Sequence, residues 1–314
     1  MNKNGKITRR DFTKQSMAAA AFLTANQVSR AEEKTYPIRL GGPVMEKYES
    51  PEQWVAIVKR LGYSAAYCPV NNKQSDDVVN AYAAAAEKAG IVISEVGVWN
   101  NPMDPDEAKR RQALEYCREQ LALAERIGAR CCVNICGSRG KVWDGPDKDN
   151  FTKETFDMIV ETTRSVIDAV KPKRTFYTLE TMPWAYPDSP DSYLDLIKAI
   201  DRQAFAAHLD PVNLICSPQR YFGNGALIRE CFAKLGPYIR SCHGKDIILQ
   251  EKLTTHLDEI RPGLGGLDYG VYLRELSRLS GVPLMLEHLS TAEEYAQASE
   301  YVRATGAKIG VQFA

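Results

Sequence analysis

Short, almost continuously apolar runs alternate with longer amphipathic segments from about residue 38 to the end of the chain. The runs lie at 38–41, 65–68, 91–96, 130–135, 176–180, 206–210, 239–243 and 283–287. Unbroken apolarity of this kind predicts parallel strands covered on both faces, since a strand with one wet face alternates. The intervening segments predict helices. Ser50-Pro51-Glu52-Gln53 and Asp104-Pro105-Asp106-Glu107 each pair a capping residue with proline at the first helical position, and Ser290 precedes Glu293 by three. Leu114, Cys117, Leu121 and Ala124 form one apolar stripe on the third helix. Gly62, Gly90 and Gly128 fall where helix C-terminal caps belong.

Eight strand-plus-helix units in succession predict an α/β fold, a single-domain (β/α)8 TIM barrel. The rival is a doubly wound open sheet, but no G-x-G-x-x-G turn follows the first strand. Gly263-Leu264-Gly265-Gly266 follows no predicted strand and reads as a loop. No linker or repeat divides residues 32–314, which form the barrel domain.

Residues 1–31 read instead as a leader. Arg9-Arg10 is followed by a weakly apolar stretch at 16–25 and a small-residue site at Ser29-Arg30-Ala31, the order of a twin-arginine signal peptide. The expected partner is the twin-arginine export machinery, and the expected location is the periplasm or beyond. The apolar stretch is too short for a permanent anchor, and no integral membrane span is expected in the mature chain.

The full chain has 40 Lys/Arg and 40 Asp/Glu. Six of the basic residues and one acid lie in the leader, so the remainder carries 34 basic and 39 acidic groups, a net charge of −5. A mildly acidic domain without basic tracts argues against nucleic acid as a partner. The 8 cysteines sit in or beside apolar runs (Cys68, Cys131, Cys132, Cys136, Cys216, Cys242) or on helical segments (Cys117, Cys231), as structural thiols do. There is no C-x-x-C pair to build a thiolate zinc site.

Four residues close the last four of the apolar runs: Glu180, Asp210, His243 and Glu287. Their spacing matches one strand-plus-helix unit each, so they are predicted to converge at the C-terminal mouth of the barrel. Within-strand alternation agrees: Thr178, His208, Ser241 and Met285 share a face with the four in turn. Three acids buried together resist ionisation unless a cation joins them. The predicted cofactor is one divalent metal ion, with manganese expected and magnesium, cobalt or zinc as alternatives.

The residues at these positions carry a resemblance. Leu179-Glu180, Leu209-Asp210-Pro211-Val212-Asn213, His243-Gly244-Lys245-Asp246, the segment from Pro262 through Gly265-Gly266 to Tyr269, and Leu286-Glu287 resemble the sugar phosphate isomerase/epimerase superfamily with a xylose isomerase-like barrel. Glu95-Val96-Gly97-Val98-Trp99 and Gly137-Ser138-Arg139 extend the likeness over nearly the whole domain. The resemblance implies a metal-dependent isomerase or epimerase acting through an enediolate on a ketose, cyclitol or related sugar. Glu180 and Glu287 would be catalytic as proton-transfer groups as well as ligands. Ketose 3-epimerases usually have histidine three residues after the metal-binding aspartate, where this chain has Asn213. An amide binds a hydroxyl but does not shuttle protons. A metal-dependent lyase or hydrolase acting on keto-sugars or keto-glycosides is therefore the alternative expectation. A non-catalytic carbohydrate-binding barrel needs no acid cluster, and a barrel phosphodiesterase of the apurinic endonuclease type needs more histidines than the 4 present.

Expected substrate contacts for the small-molecule carbohydrate are Asn213, Lys245, Trp99, Trp184, His208 and Arg139. For Lys245 the competing expectation is a salt bridge to Asp246; for His208 it is packing inside the barrel. Glu95 is a candidate to face the pocket from strand three, and His288 is expected to point away. A homo-oligomer is compatible with the sequence.

Overall fold

The computed structural model describes residues 34–314, so the leader expected over 1–31 lies outside the described residues. Eight parallel strands close into a barrel: β1 (Arg39–Gly42), β2 (Ala65–Tyr67), β3 (Val92–Gly97), β4 (Cys131–Asn134), β5 (Tyr177–Glu180), β6 (Phe205–Leu209), β7 (Ile239–Gly244) and β10 (Pro283–Leu286). Closure comes from β1 against β10, with Leu40 opposite Leu284 and Gly41 opposite Met285. A further pair, β8 (Asp246–Leu249) and β9 (Leu257–Ile260), forms an antiparallel hairpin outside the barrel sheet.

Helices cover the barrel in sequence order: α1 (Pro51–Arg60), α2 (Asp76–Ala89), α3 (Glu107–Ile127), α4 (Lys153–Val170), α5 (Pro190–Ile200), α6 (Pro218–Phe222), α7 (Asn224–Leu235), α8 (Tyr269–Ser277) and α9 (Ala292–Lys308). Their ends show the local causes. Ser50 accepts a hydrogen bond from the Gln53 amide at the start of α1, with proline in the first turn. α3 begins two residues later than its sequence predicts, because Asp106 is the cap; Asp104 instead accepts from the Asp106 amide and turns the chain into the helix. α9 is capped by a reciprocal Thr291–Glu294 pair, one residue beyond the predicted Ser290–Glu293. Gly90 and Gly128 cap α2 and α3 in the left-handed conformation.

The core lies between strands and helices, where Trp54, Val58, Leu121, Leu196 and Leu273 are buried against the sheet. All eight cysteines are free thiols, six of them buried. No helix among the described residues is long and apolar enough to cross a membrane.

One helix-to-sheet contact pins the strands that carry two of the converging acids. The buried Tyr193 of α5 inserts its phenol between β5 and β6, its one hydrogen shared between the carbonyls of Leu179 and Ala206 while its oxygen accepts from the Leu179 and His208 amides. It thereby fixes both strands within two residues of Glu180 and Asp210. Tyr193→Phe should lower unfolding free energy by about 1–3 kcal/mol in urea melts, the cost of leaving buried backbone groups short of a partner.

Candidate metal centre

β10, β7, β6 and β5 are successive neighbours around the barrel. Each presents one polar side chain at its C-terminal end. Glu180 ends β5, Asp210 follows β6, His243 is the penultimate residue of β7, and Glu287 follows β10. One ligand atom from each lies within 4.8 Å of the others. His243 Nδ1 is 2.9 Å from Glu180 Oε1, 2.8 Å from Glu287 Oε1 and 3.9 Å from Asp210 Oδ2. Asp210 and His243 are fully buried, whereas Glu180 and Glu287 floor a cavity of about 540 Å³.

That cavity opens at the barrel mouth, within the usual range for small-molecule sites. A larger groove of about 700 Å³ runs along the outer faces of α1 and α9, past Arg60, Ala296 and Arg303, and holds none of the four converging side chains. The profile of the family described as Xylose isomerase-like TIM barrel matches residues 55–305.

The chain belongs to that family. No curated protein sequence matches it. Among solved structures, it is similar to a xylose isomerase-like TIM barrel protein from Mycobacterium smegmatis in complex with magnesium, at 17% identity and a TM-score of 0.61, over 88% of this chain and 98% of that one. D-psicose 3-epimerase from Clostridium cellulolyticum, solved with D-tagatose, aligns at 14% identity and a TM-score of 0.61, over 87% and 100%. Endonuclease IV from Thermus thermophilus aligns equally well, at 14% identity and a TM-score of 0.65, over 86% and 99%. At such identities the likeness establishes the barrel alone, and the chemistry has to be argued from the side chains of this xylose isomerase-like barrel.

The donor set fits a hard divalent cation. Asp210 Oδ2 and Glu287 Oε1 are buried without a well-formed hydrogen bond, although Lys245 Nζ lies 2.9 and 2.7 Å from them. Buried acceptors are rarely left so, and three carboxylates with one imidazole suit manganese or magnesium. In the metal-free protein the balancing charge is local. Burial works to lower the His243 pKa, but the surrounding Glu287, Glu180 and Glu95 carboxylates outweigh it and hold the imidazole protonated well above its ordinary range. Burial pushes the Asp210 carboxyl up to about 6, against the pull of Lys245. Burial also opposes ionisation of Glu180 and Glu287, yet His243 and Lys245 prevail and keep both below the ordinary carboxylate range.

Beneath the four lies a second buried layer. Glu95 on β3 accepts from Ser241 Oγ at 3.3 Å, lies 2.9 Å from His208 Nε2 and faces His243 Nε2 at 3.5 Å. Glu95 is held ionised, its pKa at about 2, because His208 and His243 overcome the effect of its burial. It therefore sits where a carboxylate fixes the ring of a metal-binding histidine so that the opposite nitrogen faces the ion. Other partners hold the strand ends. Thr181 Oγ1 donates to the Asp210 carbonyl and accepts from the Asp210 amide. The hydroxyls of Tyr272 and Tyr269, one turn apart on α8, donate to the carbonyls of His243 and Lys245.

Four of the six expected substrate contacts line the cavity: Trp99, Trp184, Asn213 and Lys245. Asn213 Nδ2 donates to Glu180 Oε1 at 3.2 Å. Lys245 is buried among the acids and does not pair with Asp246. His208 is not at the cavity surface; it is fully buried, paired with Glu95 and edge-to-face with His243 at 4.1 Å between ring centres. Arg139 also lies away from it, because Asn150 accepts from the Arg139 amide and the turn sends the guanidinium toward Met158 and Glu154 on α4. His288 corrects the expectation that it points away. Its left-handed backbone (φ 58°) swings the ring into the cavity wall, where Nδ1 meets Glu259 at 3.1 Å.

Trp143, Tyr67 and Glu259 also line the cavity and were not among the expected contacts: Trp143 lies in a loop, where there is no periodicity to read, Tyr67 ends β2, and Glu259 lies on β9. Four non-glycine residues adopt left-handed backbones among the described residues: Lys171 and Asp201 end helices, while Trp99 and His288 flank the cavity. The Trp99 indole rests on Gly97, where a Cβ would collide with its Nε1. Strained backbone kept at a cavity mouth is a mark of function.

Glu95→Gln should preserve the fold and weaken Mn²⁺ binding by about 10- to 100-fold in equilibrium dialysis, as loss of such orienting carboxylates does elsewhere. An unchanged affinity would show that the ring needs no support from below.

Proposed function

We propose that this xylose isomerase-like barrel is a divalent-metal-dependent sugar isomerase or epimerase that works through an enediolate on a ketose, cyclitol or related sugar. The observation that carries this reading is the placement of Glu180 and Glu287 together in the floor of a cavity walled by Trp99, Trp143 and Trp184. Glu180, Asp210, His243 and Glu287 would hold the ion. When bound, the ion acts as a Lewis acid on a substrate carbonyl and its neighbouring hydroxyl, making the adjacent C–H more acidic.

The side chains divide the remaining work. One of Glu180 and Glu287, both held ionised, accepts the proton from carbon. The other takes a proton from solvent and delivers it to the enediolate, and the first gives its proton back to solvent before the next turnover, so charge and proton count are restored. Asn213, bonded to Glu180, orients that carboxylate and offers its amide to a hydroxyl. Lys245 supplies positive charge against the developing oxyanion. The tryptophans give apolar faces on which sugar C–H surfaces stack and keep water from the intermediate.

A second reading has its own support. Asn213 cannot carry a proton where ketose 3-epimerases use histidine, and this favours substrates whose enolate completes the reaction by expelling a β-substituent. On that reading the protein is a lyase or hydrolase of keto-sugars or keto-glycosides, with the same groups removing the first proton. A phosphodiesterase is disfavoured, because only His243 contributes an imidazole to the four-ligand cluster. We also propose export by the twin-arginine route, from Arg9-Arg10 and the apolar stretch after it.

Carbon-bound hydrogen–deuterium exchange tests the enolate directly. With Mn²⁺ present, one class among ketoses, inososes and 3-keto-glycosides should exchange, and chelation should stop it; product analysis then separates epimerisation from elimination. Glu180→Gln and Glu287→Gln, each at saturating Mn²⁺, should cut exchange by roughly 10²- to 10⁴-fold, and full exchange in both would refute the assigned roles. Because His243 is held protonated well above its ordinary range and must lose that proton to bind the ion, Mn²⁺ binding should release protons, and its affinity should rise with pH through and above the ordinary histidine range. Calorimetry in buffers of different ionisation enthalpy reads this without turnover.

A further inference from the structure

Lys245 occupies an unusual position. Its ammonium is 2% exposed and lies 2.7 Å from Glu287 Oε1, 2.9 Å from Asp210 Oδ2 and 3.8 Å from Glu180 Oε1. These are the same carboxylate oxygens that face His243 Nδ1. The ammonium thus sits on the side of the acids where the ligand atoms converge. A divalent ion taking up those oxygens would leave Lys245 beside a like charge of twice its size, in a pocket with little water to screen it. The main chain at this point cannot yield, because the Lys245 carbonyl is held by Tyr269 and the flanking Asp246 by four backbone amides. Only the four-carbon side chain is free to move.

One further acid lies within its reach. Glu259, on β9 of the hairpin, places Oε2 3.6 Å from Lys245 Nζ, and its own partner His288 stands across the cavity wall at 3.1 Å. Glu259, His288 and Lys245 all line the cavity. A Lys245 ammonium re-paired with Glu259 therefore stays at the cavity, where a substrate would meet it.

Resting on the metal-centre reading of the four converging side chains, we infer that Lys245 is a resident counter-cation, which neutralises the empty ligand set and is displaced onto Glu259 when a divalent ion enters. Loading the ion then delivers a positive charge to the substrate side of the cavity. Substrate oxyanion recognition is thereby tied to metal occupancy. The assignment gives the hairpin a role of its own, as the second seat for the lysine.

The test is Mn²⁺ affinity, measured by equilibrium dialysis on the chelated and dialysed full chain, with thermal melts of each metal-free variant. Removing a competing cation should tighten binding, so Lys245→Met should bind Mn²⁺ at least about tenfold more tightly than wild type while its metal-free form melts lower. Glu259→Gln, which removes the second seat, should bind several-fold more weakly. The double variant should bind like Lys245→Met alone, since Glu259 acts only through the lysine. Equal or weaker binding by folded Lys245→Met overturns the inference. If Lys245→Met does not fold, Glu259→Gln decides alone, and unchanged affinity there overturns it. Failure of the wild-type chain itself to bind Mn²⁺ would instead overturn the metal centre on which the inference rests.

Discussion

Mutual repulsion among Glu180, Asp210 and Glu287 is the constraint around which the rest of the barrel mouth is arranged. Three carboxylates in one water-poor site stay ionised together only beside comparable positive charge. His243 and Lys245 supply it in the metal-free protein, and the opposing pKa directions of the acids record how unevenly it is shared. Asp210, the most deeply placed, bears most of the cost. A fold that concentrates charge in this way must also prevent the groups from relaxing apart. Tyr193, Thr181, Tyr269 and Tyr272 do so by tying the strand ends that carry those groups.

Floor and walls of the cavity are built differently. The floor comes from strand termini whose backbones are locked into the barrel, with Glu95 facing His243 from the layer below. The walls come from segments after β3, β4, β5 and β10 and from the hairpin, which contribute Trp99, Trp143, Trp184, His288 and Glu259. In such barrels the invariant chemistry belongs to the floor, and choice of substrate belongs to the loops. The same division explains how a sugar epimerase and an endonuclease share this architecture with one another and with this chain.

Strand positions were legible in the sequence because burial on both faces leaves unbroken apolar runs, and every barrel strand falls on one of them. The four convergent side chains were legible for the related reason that charged residues at the ends of such runs have few other places to go. Cap positions slipped by one or two residues where neighbouring candidates compete, as at Asp104 and Asp106. Side-chain direction beyond a strand end was not legible. His288 turns inward through a left-handed backbone, and Arg139 turns outward because Asn150 bonds its amide. The hairpin was missed because Leu257–Ile260 is short and half charged, with its pairing set from a distance by Asp246.

Asp246 also sets the mechanics of that hairpin. Its two oxygens accept the amides of Ile247, Gly263, Gly265 and Leu267, gathering both ends of the hairpin into one knot. Gly265 makes the knot feasible, since a Cβ there would collide with the carboxylate. Beyond the paired strands only the tip, residues 250–256, is a closed excursion, while Glu259 still reaches back to Lys245 and His288. Residues 250–256 can therefore be lengthened, shortened or exchanged as a cassette, and an evolving lineage or an engineer can vary the tip of the hairpin without reopening the fold.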